Sequence, residues 1–186
     1  PASIDIMTSG VGGTKITKNI YLKQDPVGML DNMLPLTLYF DNDHPNPRTV
    51  AQTTSNTYKN KYQRYLKRKP SFMRRSKSPD NIEMFFESDV VGGYNKLTLF
   101  LSQLVPTLEK GISFEITIQG FASPLSRTDY NLILGQRRIS AIMNEIRRYN
   151  DGALIPYLES GQLLVTDKSY GEELAPKDIS DSSSDT

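Results

Sequence analysis

The chain has 186 residues, a formal charge of +1, and 37% hydrophobic against 23% charged residues. That fits one good-sized folded domain with a short appendage and excludes a disordered polyelectrolyte. It has no cysteine, which excludes a disulfide scaffold, a thiolate metal centre and a cysteine nucleophile.

No apolar run approaches the ~20 residues that span a bilayer, and no signal peptide is visible. A chain that opens at Pro1 reads as a processed piece of something longer. Residues 1–33 read as an N-terminal extension or the end of a preceding β-domain. Gly10, Gly12 and Gly13 make a turn, and Ile16, Lys18, Ile20 and Leu22 share one side of an extended run. Asp25-Pro26 begins a linker. A domain over 34–177 follows, with a Ser/Asp-rich tail at 178–186.

Within the domain, Leu34 to Phe40 is a short apolar strand stopped by Asp41. Asp41-Asn42-Asp43-His44-Pro45-Asn46-Pro47 is a loop, since its prolines cannot donate to a ladder and Asp and Asn favour turns. The pattern from Arg48 to Lys67 predicts a helix with Val50, Tyr58, Tyr62, Tyr65 and Leu66 inward. The basic stretch 68–80, broken by Pro70 and Pro79, predicts a loop. A long amphipathic stripe, including Ile82, Phe86, Val90, Leu97, Leu101 and Leu104, predicts a helix over 81–110, weak at Gly92-Gly93 and distorted at Pro106.

Gly111 closes that helix. Ile112, Phe114, Ile116 and Ile118 then alternate with polar residues, the clearest strand in the chain. A small-residue loop leads to a helix over 127–149 that Thr128 or Ser126 can cap, with Tyr130, Ile133, Leu134, Ile142 and Ile146 inward. Leu163-Leu164-Val165-Thr166 begins a third core strand. A strand–helix–strand–helix–strand core implies an α/β (α+β) sandwich, a sheet with helices packed on one face.

Asn131 and Arg138 lie seven residues apart, nearly two helical turns, and so share a helix face. An amide and a planar guanidinium converging beside a turn can grip a carboxylate, which lysine would not do with the same fork. Asp41 and Asp43 at a strand end can supply the opposite charge, and small loop residues let backbone N–H groups approach a ligand. Each residue also has a plain structural role to offer. Arg138 can form a salt bridge, Asn131 can bond locally at a helix start, the aspartates can form turns, and Tyr130 reads as core.

Nothing points to catalysis. His44 is the sole histidine, no Gly-x-Ser-x-Gly elbow or zinc spacing exists, and residues 10–15 fit neither a phosphate loop nor a dinucleotide fingerprint. Asp41-Asn42-Asp43 begins like a calcium loop but meets Pro45. The expectation is a non-catalytic binding module with no cofactor and no metal. The rival feature is 58–77, with nine cations, no acid, and interleaved Tyr58, Tyr62, Tyr65 and Phe72. It reads as a solvated helix face and loop, as a surface for an anionic wall polymer or membrane, or as a nucleic-acid binder.

Two short blocks carry a family resemblance. Phe40-Asp41-Asn42-Asp43 ends the first core strand, and Gly120, Tyr130-Asn131, Leu134 and Arg137-Arg138 keep a characteristic spacing. With them the chain resembles the OmpA-like peptidoglycan-binding domain over about 34–175, and its Gly-Phe-Ala-Ser-Pro loop resembles the Bacteroidetes branch. The resemblance implies a mixed sheet and recognition of a peptidoglycan stem peptide through its diaminopimelate. It also implies a periplasmic location at the outer membrane and cell wall, and envelope or secretion-system partners rather than nucleic acid. The implied ligand-binding residues are Asp41, Asn42, Asp43, Ala122, Ser123, Leu125, Asn131 and Arg138.

Two departures stand out. Ser123 occupies the place of the family's loop aspartate, and a hydroxyl cannot neutralise an ammonium. Either Asp41 or Asp43 takes over, or the ligand is held mainly through its carboxylate and backbone contacts. The family's closing strand with an Arg-Arg-Val pattern is also missing.

Overall fold

The computed structural model describes residues 3–6, 13–19, 30, 33–122 and 127–171. Most of the expected linker, the Ser123–Ser126 stretch and the tail lie outside them, though Leu30 of the linker is buried in the core. The fold is mixed α/β, with one sheet and helices packed against it. Its strands are β1 (Ser3–Ile6), β2 (Gly13–Asn19), β3 (Thr37–Tyr39), β4 (Phe114–Phe121) and β5 (Leu163–Gly171). β4 is central. It pairs in parallel with β5 on one edge and antiparallel with β2 on the other. The far edge of β2 pairs with β1 along 16–19 and with β3 along 13–15. The sheet is therefore mixed, and it extends across residue 34 into the segment expected to stand apart as an extension.

Alternation in β4 puts Phe114, Ile116 and Ile118 on the buried face. Against it pack the helices, α1 (Tyr58–Arg75), α2 (Pro79–Phe85), α3 (Gly92–Glu109), α4 (Thr128–Arg148) and the short α5 (Ile155–Glu159). The stripe at Phe86, Val90, Leu97, Leu101 and Leu104 is buried as its spacing predicts. That long helix is not uniform. Residues Phe86–Val91 form a π-helical turn between α2 and α3. Just after it, a Cβ on Gly93 would meet the Thr37 carbonyl oxygen at 2.4 Å, so α3 starts in backbone contact with β3.

Two expectations are overturned upstream. The helix expected over 48–67 begins ten residues later, at Tyr58, where the Thr57 hydroxyl caps the Asn60 N–H at 3.3 Å. Val50 is accordingly outside the core, 76% exposed. The helix also continues through the expected loop to Arg75, despite Pro70 inside it. Contacts among Tyr65, Phe72 and Phe86, with centroids 4.9 to 6.0 Å apart, pack this last stretch. Tyr58, Tyr62 and Tyr65 all face inward. Three of the four aromatics of the basic–aromatic pattern are thus core, and the fourth, Phe72, is partly buried with the Arg68 guanidinium 5.0 Å over its ring. Of the two expected caps of α4, Thr128 is the first residue of the helix and Ser126 lies outside the described residues. Arg127 holds the N-cap position with no side-chain cap bond.

Candidate functional site

The loop after β3 has no ladder partner. It turns at Asp41, where the His44 N–H donates to the Asp41 carbonyl at 3.1 Å, and it holds Asp43, Asn46 and Arg48 at positive φ. Such backbone persists only where its surroundings fix it. Here α4 does so through one polar stripe. Arg137 donates from Nε to the Pro45 carbonyl at 3.0 Å, from one terminal nitrogen to the Thr49 and Ala51 carbonyls, and from the other to the Tyr130 hydroxyl at 3.2 Å. Ser140 accepts from the Thr54 N–H at 3.1 Å, and the Asn144 amide donates to the Thr54 and Asn56 carbonyls at 2.6 and 3.0 Å. Positions 137, 140 and 144 are one, two turns apart on a single helix face.

Arg138, which the sequence places on one helix face with Asn131, is turned into the protein interior. It is 0% exposed, with its guanidinium over the Phe40 ring. Its Nε donates to the His44 carbonyl at 3.0 Å, and a terminal nitrogen donates to the Phe121 carbonyl at 2.8 Å. It thus ties the loop to the end of β4. Asn131, on the same face, is also buried. Tyr130, expected in the core, stands at the site instead. Its hydroxyl donates to the Asp43 carboxylate and accepts from the Arg48 N–H at 3.2 Å.

The two acids differ. Asp41 is 1% exposed, and both its oxygens accept from one Arg68 nitrogen at 2.7 and 2.6 Å. Its charge is already met. The Asp43 side chain keeps 32% exposure while accepting from the Arg48 N–H at 3.0 Å, with Arg137 at 3.9 Å. Asn42 is exposed.

Two small residues expected to offer their backbone to a ligand are used within the fold. The Ala122 N–H donates to the Gly171 carbonyl at 2.7 Å, and Gly120 packs against α4. Ser123 and Leu125 lie outside the described residues. The structure therefore brings Asp41, Asp43, Ala122 and Arg138 to one junction, with Asn131 buried on α4 seven residues before Arg138. It adds Tyr130, Arg137 and Arg68, which the sequence reading had not assigned to it. The polar spacing of 137, 140 and 144 was the available signal for the loop clamp.

His44 sits in the same loop, 6% exposed, with Nε2 3.9 Å from an Asp41 oxygen. Burial lowers its pKa below the ordinary 6.5. Asp41 and Asp43 pull it up, while Arg64 and Lys61 push it down. Because the folded pKa is depressed, the unfolded chain takes up a proton near pH 6.5 before the folded chain does. The neutral imidazole therefore favours folding above pH 6.5, and that contribution is lost as pH falls below it. The melting temperature should drop between pH 7 and pH 5, and His44→Gln should shrink that drop. Parallel wild-type and variant profiles would show that His44 does not contribute to it.

Among the described residues no cluster of His, Asp or Glu can hold a metal ion, and no helix is long and apolar enough to cross a membrane. The fold and junction together define a mixed α/β domain whose first loop is locked to a helix by two buried arginines. No family model, curated protein or solved structure matches the chain.

Proposed function

We propose that the chain is a non-catalytic peptidoglycan-binding module, holding a stem peptide by its diaminopimelate and anchoring an envelope assembly to the cell wall from the periplasmic side. The carrying observation is that a buried guanidinium, Arg138, and a partly exposed carboxylate, Asp43, meet at the 41–51 loop beside the end of β4. A diaminopimelate end carries an ammonium and a carboxylate, and such a ligand needs opposite charges held apart at fixed positions. Asp43 is the acid for the ammonium, since Asp41 is neutralised by Arg68. Arg138 is the partner for the carboxylate, which would replace one of the carbonyls that Arg138 now binds.

By the two sequence blocks around Asp41–Asp43 and Tyr130–Arg138, the chain resembles the C-terminal domain of the type IX secretion component PorE, and on that resemblance the assembly it anchors to the wall is a type IX secretion system. Single-site capture of a small ligand need not be tight, because several tethered copies on a repeating lattice gain avidity through effective concentration.

The test is co-sedimentation with nucleic-acid-free sacculi, with an oligonucleotide assayed in parallel. Arg138→Lys and Arg138→Ala, checked for an intact fold by circular dichroism, should each lose retention. Asp43→Asn should weaken binding of a stem peptide with a free diaminopimelate ammonium more than of its N-acetylated form. Undiminished retention by folded Arg138 variants, or equal losses for the two peptides, would remove these residues from the site. Binding of the oligonucleotide alone, falling steeply with salt, would favour the basic segment 58–77 and an anionic polymer as the ligand.

A further inference from the structure

Three cations on α1, Lys61, Arg64 and Arg68, recur at steps of three and four and so line one face of the helix. Arg68 fixes where that face points, because it is bonded to Asp41 at the start of the loop. One and two turns earlier, Arg64 and Lys61 lie within electrostatic reach of His44. Neither has an acidic partner among the described residues, whereas Lys69, on another side, is paired to Glu83 and Glu87. Partial burial, and then repulsion from Arg64, lower the Lys61 pKa. Two unmatched cations are therefore held together against a loop in which Asp41 is already neutralised by Arg68 and Asp43 pairs with neither of them. Asp41 is engaged by Arg68, and Asp43 by Tyr130 and the Arg48 N–H.

The imidazole supplies the second observation. His44 Nδ1 is buried and has no hydrogen-bond partner among the described residues. A buried polar atom without a partner is uncommon in folded proteins and calls for one, from a water, an ion or a ligand group. The Nε2 side faces Asp41, which leaves Nδ1 to meet an incoming group.

We propose that Lys61, Arg64 and the His44 imidazole form a second, anion-binding subsite beside the 41–43 loop, which receives a carboxylate of the wall peptide other than the one at Arg138. This deepens the wall-anchor function and rests on it for the ligand's identity. The carboxylate pairs with the two cations of α1, and a proton taken from solvent onto Nδ1 lets the imidazolium bridge Asp41 and the ligand. The charged groups around the ring are Asp41 and Asp43 on its own loop, Lys61, Arg64 and Arg68 on α1, and Arg138 on α4, which binds the His44 carbonyl. Binding is thus linked to proton uptake, and each favours the other.

Because the chain has one histidine, its imidazole NMR signals need no assignment. They would be followed through a pH titration of the full chain with three probes. These are the tripeptide L-alanyl-γ-D-glutamyl-meso-diaminopimelate, the same peptide amidated at the D-glutamate α-carboxylate, and glutarate. The free-acid tripeptide should move the signals, raise the His44 pKa by about one unit, and bind about tenfold more tightly than the amide. Lys61→Gln with Arg64→Gln should abolish both effects while leaving the melting temperature near wild type. If the tripeptide binds but His44 stays still and the amide binds equally well, the subsite is overturned and the wall anchor stands. If only glutarate moves His44, in wild type and not in the variant, the carboxylate subsite stands and the wall ligand does not. If no probe moves His44, the subsite falls.

Discussion

Arg137→Ala should be among the most damaging single substitutions in this chain, costing about 3–5 kcal/mol, the range seen when one partner of a buried charged network is removed. The side chain is 0% exposed and bonds three carbonyls between Pro45 and Ala51. Alanine leaves those carbonyls without a donor where water enters poorly, and each orphaned group is costly. It also releases a segment with left-handed backbone at Asn46 and Arg48. Against a typical total stability of about 5–15 kcal/mol, such a loss leaves a marginal fold. Arg137→Lys should recover little, because one ammonium cannot reproduce a fork with separate nitrogens on separate carbonyls. Urea unfolding decides it, and a loss below about 1 kcal/mol would mean that the loop holds its shape without the clamp.

Gly120→Ala should cost about 3 kcal/mol, at the upper end of ordinary overpacking. A Cβ there would sit 2.5 Å from the Gly135 carbonyl oxygen and 2.8 Å from its carbon. Both atoms are helix backbone and cannot rotate away, so α4 must lift off β4 and carry Asn131 and Arg138 with it. Gly135→Ala meets a different neighbour, the Ser169 hydroxyl at 2.2 Å. That hydroxyl donates to the Leu132 carbonyl at 2.8 Å. Replacing Ser169 by alanine should therefore rescue part of the Gly135→Ala loss and none of the Gly120→Ala loss, a coupling that a double-mutant cycle measures. Equal rescue of both, or a neutral Gly120→Ala, would mean that helix and sheet are not in backbone contact.

Much of the architecture was written in periodicity. The alternation from Ile112 to Ile118 and the stripe from Phe86 to Leu108 each bury the face their spacing indicates, because burial of a continuous apolar face dominates local choice. The first helix was misplaced for an equally physical reason. Pro70 and a run of cations argue locally against helix, but aromatic packing of Tyr65, Phe72 and Phe86 outweighs one missing backbone bond. The stretch from Arg48 to Asn56 is polar enough to be helical, but its backbone groups are bound by Arg137, Ser140 and Asn144 instead. Nothing within those nine residues reveals that.

For this protein, the order of residues alone settled the alternating strand, the amphipathic helices and the shared helix face of Asn131 and Arg138, since each follows from a repeat of two or of three to four residues. Tertiary structure decided which way the charges face. It turned both arginines of the pair inward, matched Asp41 with Arg68 from a helix 27 residues away in sequence, left Asp43 partly open, and set an imidazole whose Nδ1 has no partner among the described residues near Lys61 and Arg64. A charge's role depends on what lies within a few ångströms of it, and local sequence does not specify neighbours that the fold brings from elsewhere.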